Sequence, residues 1–290
     1  MKKKKNLLIT AIYVLLILVM AVSATVIITE IVSREQAKKD FSDLSQLIMI
    51  PVTDISGPSD SGISELPDDL ETPDDPENPD DPENPDGSDA VPEQPTEPDN
   101  NTEPVIKRDI ALLSSMNPDC IGWVQINGTS VDYPVMYTPG WNEKYLKKNF
   151  EKKRSSSGTP FMEERCELSS DNVIIYGHNM TNGTMFAPLA KYYEDYEFFQ
   201  NHPTFEFETE EGCRTFKVFA VAKVVSNEDW YYFVNAADSA DFDKWISYIK
   251  SISKYYVDYD PKFGDSLVTL STCYGSAKNG RLIIVGAEVA

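Results

Sequence analysis

Histidine is nearly absent from this 290-residue chain: there are two, His178 and His202, beside four cysteines at 120, 166, 213 and 273. No Cys-x-x-Cys pair occurs, so the spacing supports neither a zinc site nor a dense disulfide framework, and no metal or cofactor is expected. Basic residues are missing altogether between 51 and 104. That segment holds 18 of the 47 acids and none of the 26 Lys and Arg, which leaves 29 acids against 26 bases elsewhere. The net charge of -21 therefore belongs mainly to one segment. With no basic stripe in the remainder, nothing points to a nucleic-acid partner.

Large apolar residues are also scarce in 51–104, which carries 12 of the 19 prolines and a near-repeat, Asp74-Asp75-Pro76-Glu77-Asn78-Pro79 followed by Asp80-Asp81-Pro82-Glu83-Asn84-Pro85. Such a composition cannot build a core. Proline favours polyproline II and like charges repel, so the sequence predicts an extended spacer. Its reach is on the order of 150 Å, lifting a domain off a membrane.

The membrane itself is expected from the N-terminus. Lys2 to Lys5 form a basic tail (1–5) ahead of an apolar, uncharged stretch from Leu7 to Ile28. At about 1.5 Å per residue that stretch spans a hydrocarbon core of about 30 Å. Val22-Ser23-Ala24 resembles a cleavage site, but the apolar run continues through Val26, Ile27 and Ile28, so residues 6–32 read as an uncleaved signal anchor. The lysines place the N-terminus in the cytoplasm and everything beyond the anchor outside the cell, as a single-pass membrane protein touching lipid through this segment. Residues 33–50 read as a juxtamembrane helical stalk with Phe41, Leu44, Leu47 and Ile48 on one stripe.

Residues 105–290 are long enough for one domain with its own core, and the sequence predicts that they fold without anchor or spacer. A short helix is expected over Asp109 to Met116, stopped by Pro118, and one or two helical turns over Asn142 to Phe150. Strands dominate the rest. Ile121–Ile126 and Val131–Tyr137 flank the hairpin signal Asn127-Gly128, and further strands are read at 159–162, 173–176, 205–208 and 215–225. Phe242, Trp245, Ile246, Ile249 and Ile252 recur at helical spacing within Asp241 to Tyr255. The pattern is mainly β, a barrel decorated by helices.

The stretch from Asp265 to Val289 carries the chemistry. A β-branched run, Leu267 to Thr272, ends in Cys273; a loop then turns into Leu282 to Val285, with Arg281 at its start. Most lone cysteines are small buried hydrophobes, but a thiol facing a permanently charged guanidinium suits a nucleophile, which reacts as thiolate. A nucleophilic cysteine also needs a proton acceptor. His178 closes the strand Val173 to Gly177, whereas His202 lies in the turn signal Asn201-His202-Pro203. Of the two, His178 is the candidate. Cys120, Cys166 and Cys213 are expected to be packing residues, with a disulfide between two of them left open because spacing alone cannot fix connectivity.

Together, Thr269-Leu270-Ser271-Thr272-Cys273, Arg281 in the next strand and Tyr176-Gly177-His178 upstream resemble a sortase of class B. The likeness extends through Asn117-Pro118-Asp119, Gly122-Trp123-Val124, Tyr133-Pro134-Val135, Tyr145-Leu146, Gly158 to Met162 and Thr184-Met185-Phe186. It implies an eight-stranded β-barrel with an N-terminal helix and a long helix before the cysteine strand. It also implies transpeptidation: Cys273 as nucleophile, His178 as general acid and base, and Arg281 as transition-state donor. Asn142, Leu146, Tyr176, Ser271 and Thr272 are implied as substrate-binding residues, with the Trp230 to Phe233 loop as a weaker candidate for another wall. The partners implied are surface proteins bearing a sorting motif of the Asn-Pro-x-Thr type and an amine of peptidoglycan or of a pilin. Tyr274 and Gly275 follow the nucleophile where some class B relatives carry an acid, so no carboxylate partner for His178 is assigned. Two other classes stay open on the residues alone, a cysteine peptidase acting as a hydrolase and a non-enzymatic surface-binding module. Papain-like peptidases place Cys before His, the reverse of the order here.

Overall fold

The computed structural model describes residues 2–51 and 106–289. The expected acidic spacer at 51–104 lies almost entirely outside the described residues. Contacts divide the chain into two units, 1–50 together with 107–290, and 51–106.

Eight strands close into a barrel: β1 (Cys120–Gln125), β2 (Asp132–Met136), β3 (Phe161–Met162), β4 (Asn172–Tyr176), β5 (Thr204–Thr209), β6 (Gly212–Val225), β7 (Leu267–Cys273) and β8 (Gly280–Val289), in the order β8-β6-β5-β1-β2-β3-β4-β7. Closure leaves no free sheet edge. Most neighbours are antiparallel, but β2 with β3 and β4 with β7 run parallel. Strand β7 is buried at every position until Cys273, as expected of a β-branched run covered on both faces. The β1–β2 turn places Gly128 at φ +76°, the left-handed region that the Asn-Gly pair anticipates. The next hairpin is equally local: Thr209 pairs with Gly212, so Glu210 and Glu211 form the β5–β6 turn.

Five helices frame the barrel among the described residues: α1 (Lys2–Ile48), α2 (Ile110–Met116), α3 (Leu189–Glu194), α4 (Tyr196–Asn201) and α5 (Ser239–Ile252). Asp109 caps α2, its Oδ1 accepting from Leu112 N at 2.8 Å. Asp238 caps α5 in the same way through Asp241 N, and Phe242, Ile246 and Ile249 are the buried face. The expected helical turns over Asn142 to Phe150 are instead consecutive turns closed by a Lys148–Arg154 bridge. Buried Tyr145 and Asn149 explain this: the segment is held by tertiary contacts rather than by a helical stripe.

Helix α1 has two characters. Its N-terminal part contains a window of mean hydropathy 2.8 with none of it buried, the one helix among the described residues long and apolar enough to cross a membrane. Its C-terminal part packs on the barrel through Ala37, Phe41, Leu44, Ser45 and Ile48, a spacing of one helical face. Phe41 meets Tyr133 edge-on at 5.2 Å, whereas Leu47, expected on this stripe, is 58% exposed. The Ile48 carbonyl accepts from Asp109 N at 2.9 Å. The apolar window and the face packed on the barrel therefore belong to one continuous helix.

A buried ion cluster secures the same corner. Arg108, 5% exposed, donates to Glu208 Oε2 at 3.2 Å and to Asp132 Oδ1 at 3.1 Å, and Asp132 also accepts from Trp123 Nε1 and from Ser45 of α1. Removing one partner of a buried pair strands the other charge, at a cost of about 3–5 kcal/mol. Arg108→Ala is expected to lower the unfolding free energy by that amount in urea denaturation. A midpoint like that of the wild type would show Glu208 to be solvated rather than paired.

Candidate active site

Strand register builds the site. In β4 and β7 the parallel pairing sets Tyr176 beside Ser271, so two residues further along each chain His178 and Cys273 emerge at the same end of the barrel. In β7 and β8 the antiparallel pairing sets Arg281 opposite Cys273. These three side chains, with Asn142, Leu146, Tyr176, Ser271 and Thr272, line a single cavity of about 360 Å³. All eight residues singled out from the sequence are thus brought together there.

The hydroxyls of the β7 motif tie down two walls, Thr269 and Ser271 the turn at 229–232 and Thr272 the chain before His178. Thr269 Oγ1 accepts from Trp230 Nε1 at 3.0 Å and donates to Asn172 Oδ1 at 2.8 Å, fixing the 3-10 turn Asp229–Tyr232. Ser271 Oγ and the Tyr231 hydroxyl bond at 2.8 Å, and Thr272 Oγ1 donates to the Gly177 carbonyl at 2.7 Å. Of the Trp230 to Phe233 loop only Tyr231 lines the cavity; Trp230 and Phe233 are core and Tyr232 is exposed. Burial, with the Ser271 bond opposing it, pushes the Tyr231 hydroxyl up to about 12, so it stays neutral.

His178 is placed by what surrounds it. A Cβ on Gly177 would sit 2.6 Å from the Phe186 ring, so glycine lets the chain pass directly over that ring before the histidine. Phe186 N donates to the His178 carbonyl at 2.9 Å, and Asn179 Nδ2 donates to the Cys273 carbonyl at 3.0 Å. The imidazole Nε2 lies 2.7 Å from the Leu146 carbonyl. A carbonyl only accepts, so Nε2 carries the proton and Nδ1 is the ring atom left for exchange or for a second proton. The His178 ring is thus oriented by a backbone carbonyl rather than by a carboxylate. His202, by contrast, stacks on Phe198 at 4.0 Å and bonds the Phe198 carbonyl away from the cavity.

The four cysteines are free. Burial pushes the Cys120 thiol up to about 12 and the Cys166 thiol up to about 11. Cys213 departs from the packing role expected of it, being exposed on β6, yet partial desolvation and then the Glu206 and Glu208 carboxylates push it up to about 11. None of these three is thiolate near neutral pH. Cys273 is the exposed end of an otherwise buried strand, and it faces the cavity. The short loop after it is pinned at both ends: the Tyr274 hydroxyl donates to Glu194 at 2.7 Å, and Ser226 N donates to the Asn279 carbonyl at 2.9 Å.

Sequence reasoning missed Glu143, Phe161 and Ser226 in the lining, and Glu163 behind it. Glu163 left a trace in the sequence, an acid directly after the apolar strand Phe161-Met162, where a buried carboxylate needs partners. Arg281 stands at the rim, its Nη1 donating to the Gly280 carbonyl at 3.0 Å.

Comparison with known proteins agrees with this fold. A family model described as the Sortase domain matches residues 124–289, more than half of the chain. Sortase B of Listeria monocytogenes serovar 1/2a is 33% identical over 189 residues, which covers 63% of this chain and 75% of that protein. A Staphylococcus aureus sortase B–substrate complex superposes with a TM-score of 0.57 at 29% identity, covering 62% of this chain and 84% of that one. Clostridium perfringens sortase B does so with a TM-score of 0.57 at 30% identity, covering 62% and 99%. With its closed eight-stranded barrel, its N-terminal helix and a Cys-His-Arg cavity at one barrel end, the chain belongs to the sortase family, in class B, and is a cysteine transpeptidase.

Proposed function

We propose that the cavity takes a sorting motif of the Asn-Pro-x-Thr type from surface proteins and that Cys273, His178 and Arg281 act on its Thr carbonyl. The observation that carries this reading is the register, which converges all three on one cavity of about 360 Å³ from adjacent strands. The Cys273 Sγ attacks the carbonyl carbon as thiolate, and Arg281 donates charge-assisted hydrogen bonds to the oxyanion. Protonated His178 gives its proton to the leaving amine as the C–N bond breaks, leaving a thioester. An incoming amine then attacks the thioester, loses its proton to His178, and departs joined to the Thr carbonyl as the Cys273 thiolate is released, restoring the starting thiolate and protonated His178. Among the sortase B structures that this chain resembles, one is a substrate complex and another a complex with triglycine. By analogy the acceptor is an amine of a peptidoglycan stem or cross-bridge, or of a pilin.

The protein is held to the membrane by α1, with its N-terminus cytoplasmic and the barrel outside. Its apolar window and the lysines at its start support this topology. The catalytic domain is the barrel of residues 105–290, with the α1 face packed on it.

Quenched peptides carrying Asn-Pro-x-Thr, Ser-Pro-x-Thr, Pro-Pro-x-Thr and Leu-Pro-x-Thr test the reading, each incubated with and without a diamino-acid stem peptide. The expected result is cleavage of Asn-Pro-x-Thr above the others and an amine-dependent ligated product by mass spectrometry. If free acid is the sole product at every amine concentration, the chain is a hydrolase.

A further inference from the structure

We infer that Glu163 is a positioning residue of the groove, a carboxylate behind the wall that dictates which end of the Asn142 amide faces the acyl donor. The inference rests on the reading of the cavity as the acyl-donor groove. Glu163 is 5% exposed, follows β3, and does not itself line the cavity. Its Oε2 accepts from the Tyr176 hydroxyl at 2.9 Å and from Asn142 Nδ2 at 3.2 Å, and its Oε1 accepts from Arg165 Nε at 2.9 Å. Arg165 Nη2 donates in turn to the Tyr231 carbonyl at 2.9 Å, and the Tyr231 hydroxyl meets Ser271. Asn142, Tyr176, Tyr231 and Ser271 line the cavity, so one carboxylate and one guanidinium tie its walls together from behind.

The chemistry of the carboxylate sets the orientation. Burial works to raise the Glu163 pKa, but hydrogen bonds from Arg165 and Tyr176, the Arg165 charge and the Asn142 bond outweigh it and hold the group below the usual carboxylate range. An ionised carboxylate only accepts, so Asn142 must turn its NH₂ toward it. The opposite end, Oδ1, is buried and has no hydrogen-bond partner. An unpaired buried acceptor is costly until a donor meets it. The group it fits is an N–H, whether a peptide backbone amide or a side-chain carboxamide. Glutamine at 163 would carry a donor of its own and let the Asn142 amide turn over, presenting NH₂ to a peptide N–H.

The full chain in detergent, assayed with the Asn-Pro-x-Thr peptide, tests this. Glu163→Gln is expected to lower kcat/KM by about tenfold, mainly through KM, with kcat within about twofold and the rate of Cys273 alkylation by iodoacetamide unchanged. Glu163→Asp keeps the accept-only chemistry and is expected within about threefold of wild type. In an Asn142→Ala background, Glu163→Gln is expected to add less than about twofold, because the amide it orients is gone. Wild-type kinetics in Glu163→Gln, equal losses in the Gln and Asp variants, a full tenfold loss in the Asn142→Ala background, or slowed alkylation each overturns the inference. Wild-type protein that alkylates normally but neither binds nor cleaves the peptide overturns the groove reading, and this inference with it.

Discussion

Replacing Cys273 with alanine is expected to abolish the acyl-enzyme and to lower peptide cleavage by on the order of 10⁴-fold or more, as deleting the nucleophile of a covalent catalyst does. Substitutions at Cys120, Cys166 and Cys213 are expected to leave both intact. The asymmetry follows from environment. Burial pushes Cys120 and Cys166 far above neutral pH, and Cys213 is held there by desolvation and by flanking carboxylates. Cys273 instead ends its strand opposite Arg281 in the cavity that also contains His178. Intact-mass measurement after incubation with the peptide, and after a methanethiosulfonate reagent, reads the outcome. An inactivating adduct on any other cysteine would remove Cys273 from its assigned role.

Arg281→Ala is expected to lower turnover by about 100 to 1,000-fold with an unchanged Tm. An ordinary surface arginine contributes less than about 1 kcal/mol through an ion pair, too little for such a fall. An oxyanion donor is worth about 2.7–4 kcal/mol in the transition state, and its removal shows in kcat rather than in folding. Here Nη1 is occupied by the Gly280 carbonyl while the guanidinium stands at the cavity rim. A planar fork can hold that carbonyl and still reach a second acceptor; an ammonium makes a single point contact. Arg281→Lys is therefore expected to recover only part of the loss. Steady-state cleavage in the two variants decides it, since wild-type turnover in Arg281→Ala would leave a site of Cys273 and His178 alone.

Chain-local features were the most legible. The β7–β8 hairpin spans so few residues that the pairing of Cys273 with Arg281 follows from two apolar runs and a glycine-bearing loop. The β1–β2 hairpin was legible from Asn-Gly, and α5 from its apolar spacing. The turns at 142–150 were not, because buried Tyr145 binds Asp119 and Asn117 through its hydroxyl, a tertiary arrangement that overrides local helical spacing. Leu47 was misplaced on the α1 stripe for a related reason. A helix offers several overlapping apolar faces, and the barrel surface chose the one through Ala37, Phe41, Leu44 and Ile48.

By itself the sequence determined the strand-rich class, the apolar N-terminal helix, the acidic character of 51–104, and a thiol and a guanidinium on facing strand ends. These depend on composition, on period-two and period-3.6 patterning, and on residues close in the chain, all of which act before any long-range contact forms. Tertiary structure alone decided the rest. It brought His178 level with Cys273 through a parallel pairing across some 95 residues, docked α1 on the barrel, and placed Glu163 behind Asn142 and Tyr176. Parallel neighbours are joined by long crossovers whose register no local turn dictates, and a buried carboxylate's partners are set by the packing around it.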